Sequence, residues 1–488
     1  MKKFTSLQFL LVISMTFGQT DYEKAAETVQ KNTVKSHLYF LSDDLLLGRE
    51  TGTRGNRIAA AYLADQLMRF GVEPNPVSGD YYQDFELHRR SAPDRLELGL
   101  DGSGPLRTVA LYTYSIVADT RTVFLNYGEP ADYSGQEVAG KIVLVRGGTP
   151  GGNGLNETYQ ATRRKREAAM EHGALGLVEL VSFDDATWDR VERGLSSRTG
   201  LPTEEPPFIH LWVQDPGSLS LPQIGAEIPI TLDSDDPELQ VIQTRNVVGM
   251  LPGTDPILDD EYIIYSAHYD HIGTGKPDAS GDSIYNGARD NGIGTTAVLS
   301  IAENLGKYPT RRPALFVFFT AEELGLLGSR YYVEHPVIPL EKTVYCFNTD
   351  GGGYNDTTLA TIIGLNRTTA KKHILEGARG FGLKPVDDPV PEQGLFDRSD
   401  NVSFARAGIP APTYSTGFNS FDEEYLKYYH QLADEAGSLD YDYLLKFFRG
   451  YVLTGRLIAN DPETPFWVPG DVYEPAGKAL YQMTEAKN

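Results

Sequence analysis

Histidines and carboxylates stand where apolar runs of this chain end. Tyr262 to Ala267 is followed by His268, Tyr269, Asp270 and His271, Ala314 to Thr320 by Glu322 and Glu323, and Val344 to Thr349 by Asp350. Asp290 lies within Asn286 to Gly292, and His430 comes late, in Tyr428-Tyr429-His430-Gln431-Leu432-Ala433-Asp434. Singly, each has an ordinary structural explanation: paired acids favour the first turn of a helix, and Asp-Asn-Gly is a turn sequence. Three consecutive run ends supplying only imidazole and carboxylate, where polar groups are costly to place, favour chemistry over coincidence. Such donors suit a borderline divalent cation such as Zn2+, and the single cysteine, Cys346, excludes a thiolate set. Five ligand candidates exceed the needs of one catalytic ion. They suit two ions about 3.5–4 Å apart that share a carboxylate and clamp a water. Glu322, beside Glu323, is then a carboxylate free to take that water's proton.

Groups like these must be placed by strands, because open α/β sheets gather functional side chains in the loops at the carboxyl ends of their strands. The apolar runs lack polar alternation, so they predict strands buried on both faces, in a central, largely parallel sheet covered by helices such as Gly294 to Leu305 and Leu326 to Tyr332. Upstream, Asp21 to Leu41 reads as a helix, Ser42 to Gly55 as a surface loop, and Gly55 to Phe70 as an amphipathic helix closed by Gly71. From Leu98 to Leu232 the chain turns to short β-rich runs, with a helix near Thr158 to His172 and a strand at Leu175 to Leu180, which predicts a separate small β-rich domain. Pro462, Pro465, Pro469 and Pro475 predict an extended strap after Asn460. Neither His-Glu-x-x-His nor Gly-x-Ser-x-Gly occurs, and the Gly292-Ile293-Gly294 stretch follows a polar loop, so it reads as a helix start and not as a dinucleotide fingerprint.

Composition sets the outer bounds. The 488 residues, 40% hydrophobic with 28 Tyr and 21 Phe, describe a globular chain of several domains. Forty-four basic against 67 acidic residues give a net charge of −23, which offers no footprint for nucleic acid or acidic lipid. Lys2 and Lys3, the apolar run Phe9 to Ile13 and the small residues around Phe17 have the layout of a secretory signal cleaved after Gly18. The expectation is a soluble exported protein, periplasmic or secreted, with no membrane span and no disulfide.

At these residues the chain resembles the exported two-zinc aminopeptidase family, to which glutamate carboxypeptidase, glutaminyl cyclase and the transferrin receptor are related. Ser266 to His271, Gly287 to Gly292, Phe319 to Glu323, Asn348 to Asp350 and Tyr429-His430 with Asp434 look like its successive blocks, in order, from about Arg245 to Leu457. The resemblance implies a three-layer α/β/α zinc-peptidase fold with a central mostly parallel mixed sheet. It implies two Zn2+ ions bridged by Asp290, with His268 and Asp350 completing one site and Glu323 and His430 the other. Glu322 would be the general base, Asp270 a carboxylate steadying His268, and Tyr429 a candidate to steady the oxyanion. Gly140 to Arg146 and Gly173 to Gly176 look like the protease-associated domain often inserted in this family, whose implied task is to shape access to the site. Arg289 and Ser399-Asp400-Asn401 depart from the family's usual pattern without touching the five ligands. The expected division is a signal over 1–18, an N-terminal part of the peptidase domain over 19–97, the inserted domain over 98–244, the catalytic domain over 245–460 and a tail over 461–488. The expected activity is removal of N-terminal residues from peptides. A glutamate-type carboxypeptidase, a glutaminyl cyclase and a metal-free binding module are the alternatives, and oligomeric state is not set by the sequence.

Overall fold

The computed structural model describes residues 19–202, 207–217, 219 and 221–483, so the secretory-signal reading lies outside the described residues. Two compact units are formed, one from Met1–Phe85 with Thr244–Asn488, the other from Glu86–Gln243. The second begins earlier than the composition change at Leu98 suggests, because His88 to Ser91 pair antiparallel with Ser197 to Gly200 of the same unit.

The first unit carries α1 (Asp21–Thr28), α2 (Lys31–Leu41), α3 (Arg54–Arg69), β1 (Leu239–Leu251, from Thr244 onward), β2 (Tyr262–His268), α4 (Gly294–Lys307) and β3 (Ala314–Phe319). It continues with α5 (Leu327–Glu334), β4 (Thr343–Thr349), β5 (Leu359–Ile363), α6 (Lys371–Gly380), β6 (Lys384–Val386), α7 (Asn401–Arg406), β7 (Thr413–Thr416), α8 (Tyr441–Asn460) and α9 (Glu474–Leu480). The expected single helix over Asp21 to Leu41 is two, since Val29 turns to extended geometry and buries its side chain. The strand order is β6-β5-β7-β4-β2-β3-β1. The four central strands β7, β4, β2 and β3 run parallel, whereas β1 and β5 join antiparallel to β3 and β7.

Both faces of this sheet are covered, which is why its strands read as unbroken apolar runs. Ile263, Tyr265 and Ala267 of β2, with Phe316 and Phe318 of β3, pack with α3, α4, α6 and α8. The alternate residues Ile264, Leu315, Val317 and Cys346 pack with Tyr332 of α5 and Phe404 of α7. The result is a three-layer α/β/α unit around a mixed, mostly parallel sheet. The tail is not the extended strap its prolines suggest. Pro475 opens helix α9, where a missing N–H costs nothing, and Trp467 is buried with its indole N–H donating to the Gly408 carbonyl at 2.9 Å. Among the described residues no helix is long and apolar enough to cross a membrane.

The second unit holds a seven-stranded sheet in the order Leu96–Leu100, Glu227–Ser234, Ile116–Phe124, Ile142–Arg146, Gly176–Val181, Ile209–Gln214 and Thr108–Tyr112. Its four inner strands are parallel from Ile116–Phe124 to Ile209–Gln214. Besides Leu155–Glu171 it has a second helix, Asp185–Leu195, which the β-rich sequence reading passed over; Asp184 caps it and Trp188, Val191 and Leu195 anchor it. Lys165 and Glu179, both fully buried, pair at 2.9 Å inside this unit. Glu179 also accepts from Trp212 Nε1 at 3.0 Å and Thr162 Oγ1 at 3.1 Å, and lies 2.8 Å from His210 Nε2.

Candidate metal centre

Parallel order brings the carboxyl ends of β2, β3 and β4 to one edge of the sheet, and with them the three groups read from the sequence. His268 closes β2, Glu322 and Glu323 follow β3, and Asp350 follows β4. Asp290 sits in the irregular turn that leads into α4, so Gly292-Ile293-Gly294 is a helix entry as its polar setting implied. His430 arrives from a loop before α8 with φ at 54°, a left-handed backbone that a residue with a Cβ adopts at a cost of about 1–3 kcal/mol. Its side chain is stacked on Tyr429, ring centroids 4.3 Å apart.

All five expected ligands converge, and Asp290 is central to them. Its Oδ1 lies 3.3 Å from His268 Nε2, and its Oδ2 lies 3.1 Å from His430 Nε2. His268 Nε2 is 3.4 Å from Asp350 Oδ1, and His430 Nε2 is 3.3 Å from Glu323 Oε2. A tetrahedron with ligand bonds of about 2.0–2.1 Å has edges of about 3.3–3.4 Å, so these spacings fit two zinc-sized ions sharing the Asp290 carboxylate. Within each group the donor atoms lie within 4.8 Å of one another.

The charge balance points the same way. Four carboxylates, Asp290, Glu322, Glu323 and Asp350, line the pocket with the imidazoles of His268 and His430. Burial alone would depress the His268 pKa, but Glu322 and Asp350 outweigh it and hold it well above its ordinary value. His430 is likewise pushed up to about 10: burial is overcome by its bonds to Asp290 and Glu323. Asp290 is lowered despite its burial, through His268 and His430. Glu322 behaves oppositely. Burial raises it well above the carboxylate range, His268 opposes this, and Asp350 and Asp400 add to it. Its Oε2 stands 4.0 Å from His268 Nε2 and makes no shorter contact to either imidazole, which leaves it the carboxylate of the cluster available for proton transfer.

Asp270 meets His268 Nδ1 through its backbone carbonyl, which accepts at 3.2 Å, while its Oδ1 is 3.7 Å away. Its carboxylate also accepts from the backbone N–H of Glu322 at 3.3 Å and of Glu323 at 3.4 Å, and from Thr51 Oγ1 at 3.0 Å. It therefore orients both glutamates as well as the imidazole. Tyr429 lines the pocket, with its hydroxyl 3.3 Å from Arg398 Nη2.

Several supporting residues were visible in the sequence without the roles the structure gives them. His271 Nδ1 meets Glu323 Oε1 at 2.7 Å, leaving Oε2 for His430; its position three residues after His268 was the available signal. Asp434 accepts from the backbone N–H groups of Arg289 and Asp290 and pairs with the Arg289 guanidinium at 3.1 Å, so Arg289 fastens the Asp290 turn to the His430 loop. The segment Ser42 to Gly55 is not simply a surface loop. Arg49 is buried and donates to the carbonyls of Tyr269, Asn286 and Gly287 at 2.7–2.9 Å, and also to Leu41. Three carbonyls of the loops that carry the candidate ligands are thereby satisfied by one side chain from upstream.

Comparison with known proteins agrees with this geometry. Residues 246–453 match the model of Peptidase family M28. Aminopeptidase YwaD of Bacillus subtilis is 25% identical over 395 residues, covering 79% of this chain and 76% of the relative. The probable leucine aminopeptidase 2 of Aspergillus oryzae is 28% identical over 446 residues, covering 83% and 80%. Among solved structures, the aminopeptidase from Aneurinibacillus sp. strain AM-1 superposes with a TM-score of 0.57 at 20% identity, covering 93% of this chain and 99% of that one, a likeness of fold. Residues 246–453, which hold all five metal-ligand candidates and both glutamates after β3, are thus the part of this metallopeptidase that resembles Peptidase family M28.

Proposed function

We propose that this chain is an exported aminopeptidase that holds two zinc ions and removes N-terminal residues, preferring apolar ones, from peptides. The observation that carries the reading is the Asp290 carboxylate, whose two oxygens face different histidines, each with its own acidic partner. The names of the relatives support the aminopeptidase direction. Against a carboxypeptidase, the pocket wall offers no basic cluster for a substrate carboxylate; Arg398 is its one Lys or Arg among the described residues. The wall beside the ligands is apolar, built from Ile363, Phe418 and Tyr425 with Leu395 and Phe421, which suits an aliphatic or aromatic first side chain.

Two zinc ions held by His268, Asp290, Asp350, Glu323 and His430 would supply Lewis acidity, lowering a water's pKa from about 15.7 toward about 7 and polarising the scissile carbonyl. Glu322 takes the water's proton and returns it to the leaving amine. Its raised pKa suits both halves of that shuttle, because a base that also reprotonates works best near the operating pH. Asp270 keeps Glu322 and Glu323 in register through their backbone N–H groups. Tyr429 donates its hydroxyl hydrogen to the carbonyl oxygen as that oxygen gains charge. The unit Glu86–Gln243 we read as the protease-associated insertion, on the strength of its place between the two halves of the catalytic unit and the run Gly140 to Arg146.

A peptide panel blocked at either end, assayed with and without a chelator, tests the proposal. Cleavage that needs a free amino end and is lost on chelation is expected. Cleavage that needs a free carboxyl end, or activity indifferent to the chelator, would overturn it.

A further inference from the structure

Arg398 stands in the pocket without an acidic partner. Among the described residues its guanidinium makes no ion pair, and its one hydrogen bond runs from Nη2 to the Tyr429 hydroxyl at 3.3 Å. That oxygen therefore accepts from Arg398, and its own hydrogen has no acceptor among the described residues. A phenol has one hydrogen to give; with a lone pair engaged by the guanidinium, that hydrogen is left for a group entering the pocket. The ring is fixed as well. His430 stacks on one part of it, with planes 24° apart. Gly352 lies so close that a Cβ there would come within 2.8 Å of Tyr429 Cδ2.

We propose that Arg398 is a positioning residue, which acts through Tyr429 by occupying the acceptor side of its hydroxyl and so directing the hydroxyl hydrogen at the developing oxyanion. The inference rests on the reading of Tyr429 as the oxyanion donor. It assigns Arg398, an exposed side chain on the loop before α7, to the rate of the chemical step and not to substrate affinity. A directed donor is worth more in the transition state than in the ground state, since the oxygen carries full charge only there.

Steady-state kinetics on leucine p-nitroanilide and on a leucyl dipeptide, with the Ki of product leucine alongside, test it. Arg398→Gln is expected to lower kcat about tenfold with KM and the leucine Ki within twofold, and Arg398→Lys to recover most of the loss. In a Tyr429→Phe background Arg398→Gln should cost nothing further. A full additional loss in that background would overturn the placement, as would a loss seen only in KM for the dipeptide, which would make Arg398 a carboxylate receptor. If Tyr429→Phe is slow while Arg398→Gln is normal, the placement fails and the oxyanion reading stands. If Tyr429→Phe keeps full kcat, both fail together.

Discussion

Two buried clusters of ionisable groups, one in each unit, are built on opposite principles. Around Glu179 the carboxylate itself is fully partnered inside the protein: Lys165 pairs with it, and His210, Trp212 and Thr162 crowd its oxygens. Burial would raise Glu179, but His210 and Lys165 bring it down to about 2. Around Asp290 the acids outnumber the bases, two imidazoles are held far above their ordinary pKa, and Glu322 is pushed up by burial and by its acidic neighbours. A closed network of charges contributes to holding a fold together. A cluster with surplus carboxylates is assembled against its own repulsion, and the contribution that balances it is a cation bound from outside. Burial and charge are common to both; neutrality separates scaffold from site.

If that distinction is sound, removing a carboxylate has opposite consequences in the two places. Glu322→Gln should lower kcat by about 10³-fold, the range of a lost general base, while leaving zinc content unchanged. Its unfolding midpoint should hold or rise, since a buried carboxyl with a raised pKa favours its neutral form. Retained turnover in this variant would remove Glu322 from the mechanism. Glu179→Gln should do the reverse, destabilising its unit by about 3–5 kcal/mol because Lys165 is left buried without its partner. Activity and zinc content should not change. Trp188 and Trp212 lie in that unit and Trp467 in the other, so indole fluorescence during urea unfolding reports chiefly on the unit at issue. Acid should reproduce part of the effect. Glu179 has a depressed pKa, so its contribution is complete above its ordinary 4.5 and is lost as pH falls toward about 2.

An intermediate effect is expected where a second imidazole supports a ligand candidate. His271→Phe keeps the shape of the side chain but removes the bond to Glu323 Oε1, and zinc affinity should weaken by about 10–100-fold, measured by competition with a chromogenic chelator. Unchanged affinity would show that Glu323 is held by its backbone and Asp270 alone.

What the sequence made legible follows the same divide. The candidate ligands after β2, β3 and β4 could be read because a parallel strand buried on both faces ends at one edge and must pass its chain into a loop, so polar groups at successive run ends converge by topology. Asp290 and His430 were recognised by their block pattern, not by periodicity, since one lies in an irregular turn and the other in a left-handed residue. The residues that hold these ligands were less visible. Arg49 reaches carbonyls more than two hundred positions away, and Asp434 reaches the Asp290 turn across the gap between two loops. Neither partner carries a local signature, because a backbone carbonyl or N–H is the same at every position. Helix Asp185–Leu195 escaped for a different reason: its charged face dominates the composition, and three apolar anchors, Trp188, Val191 and Leu195, were too sparse to set a period.

The smallest effects expected come from two glycines, and they separate the units most finely. A Cβ at Gly352 would sit 2.7 Å from Tyr425 Oη and 2.8 Å from Tyr429 Cδ2. A Cβ at Gly176, in the sheet of the other unit, would sit 2.8 Å from Ile209 Cβ and 2.9 Å from the Ile209 carbonyl oxygen. Both substitutions overpack, and where the neighbour cannot move aside the cost is about 1–3 kcal/mol. In Gly352→Ala the yielding partners are aromatic side chains on the pocket wall, so Tyr429 shifts against its target and kcat should fall about fivefold to tenfold with little change in overall stability. In Gly176→Ala the obstacle is a neighbouring strand's backbone, which cannot rotate away, so the unit's urea midpoint should drop while kcat stays within twofold of the parent. Equal losses of kcat in both variants would mean that the inserted unit contributes to the chemistry, and the separation of scaffold from site argued from charge balance would have to be abandoned.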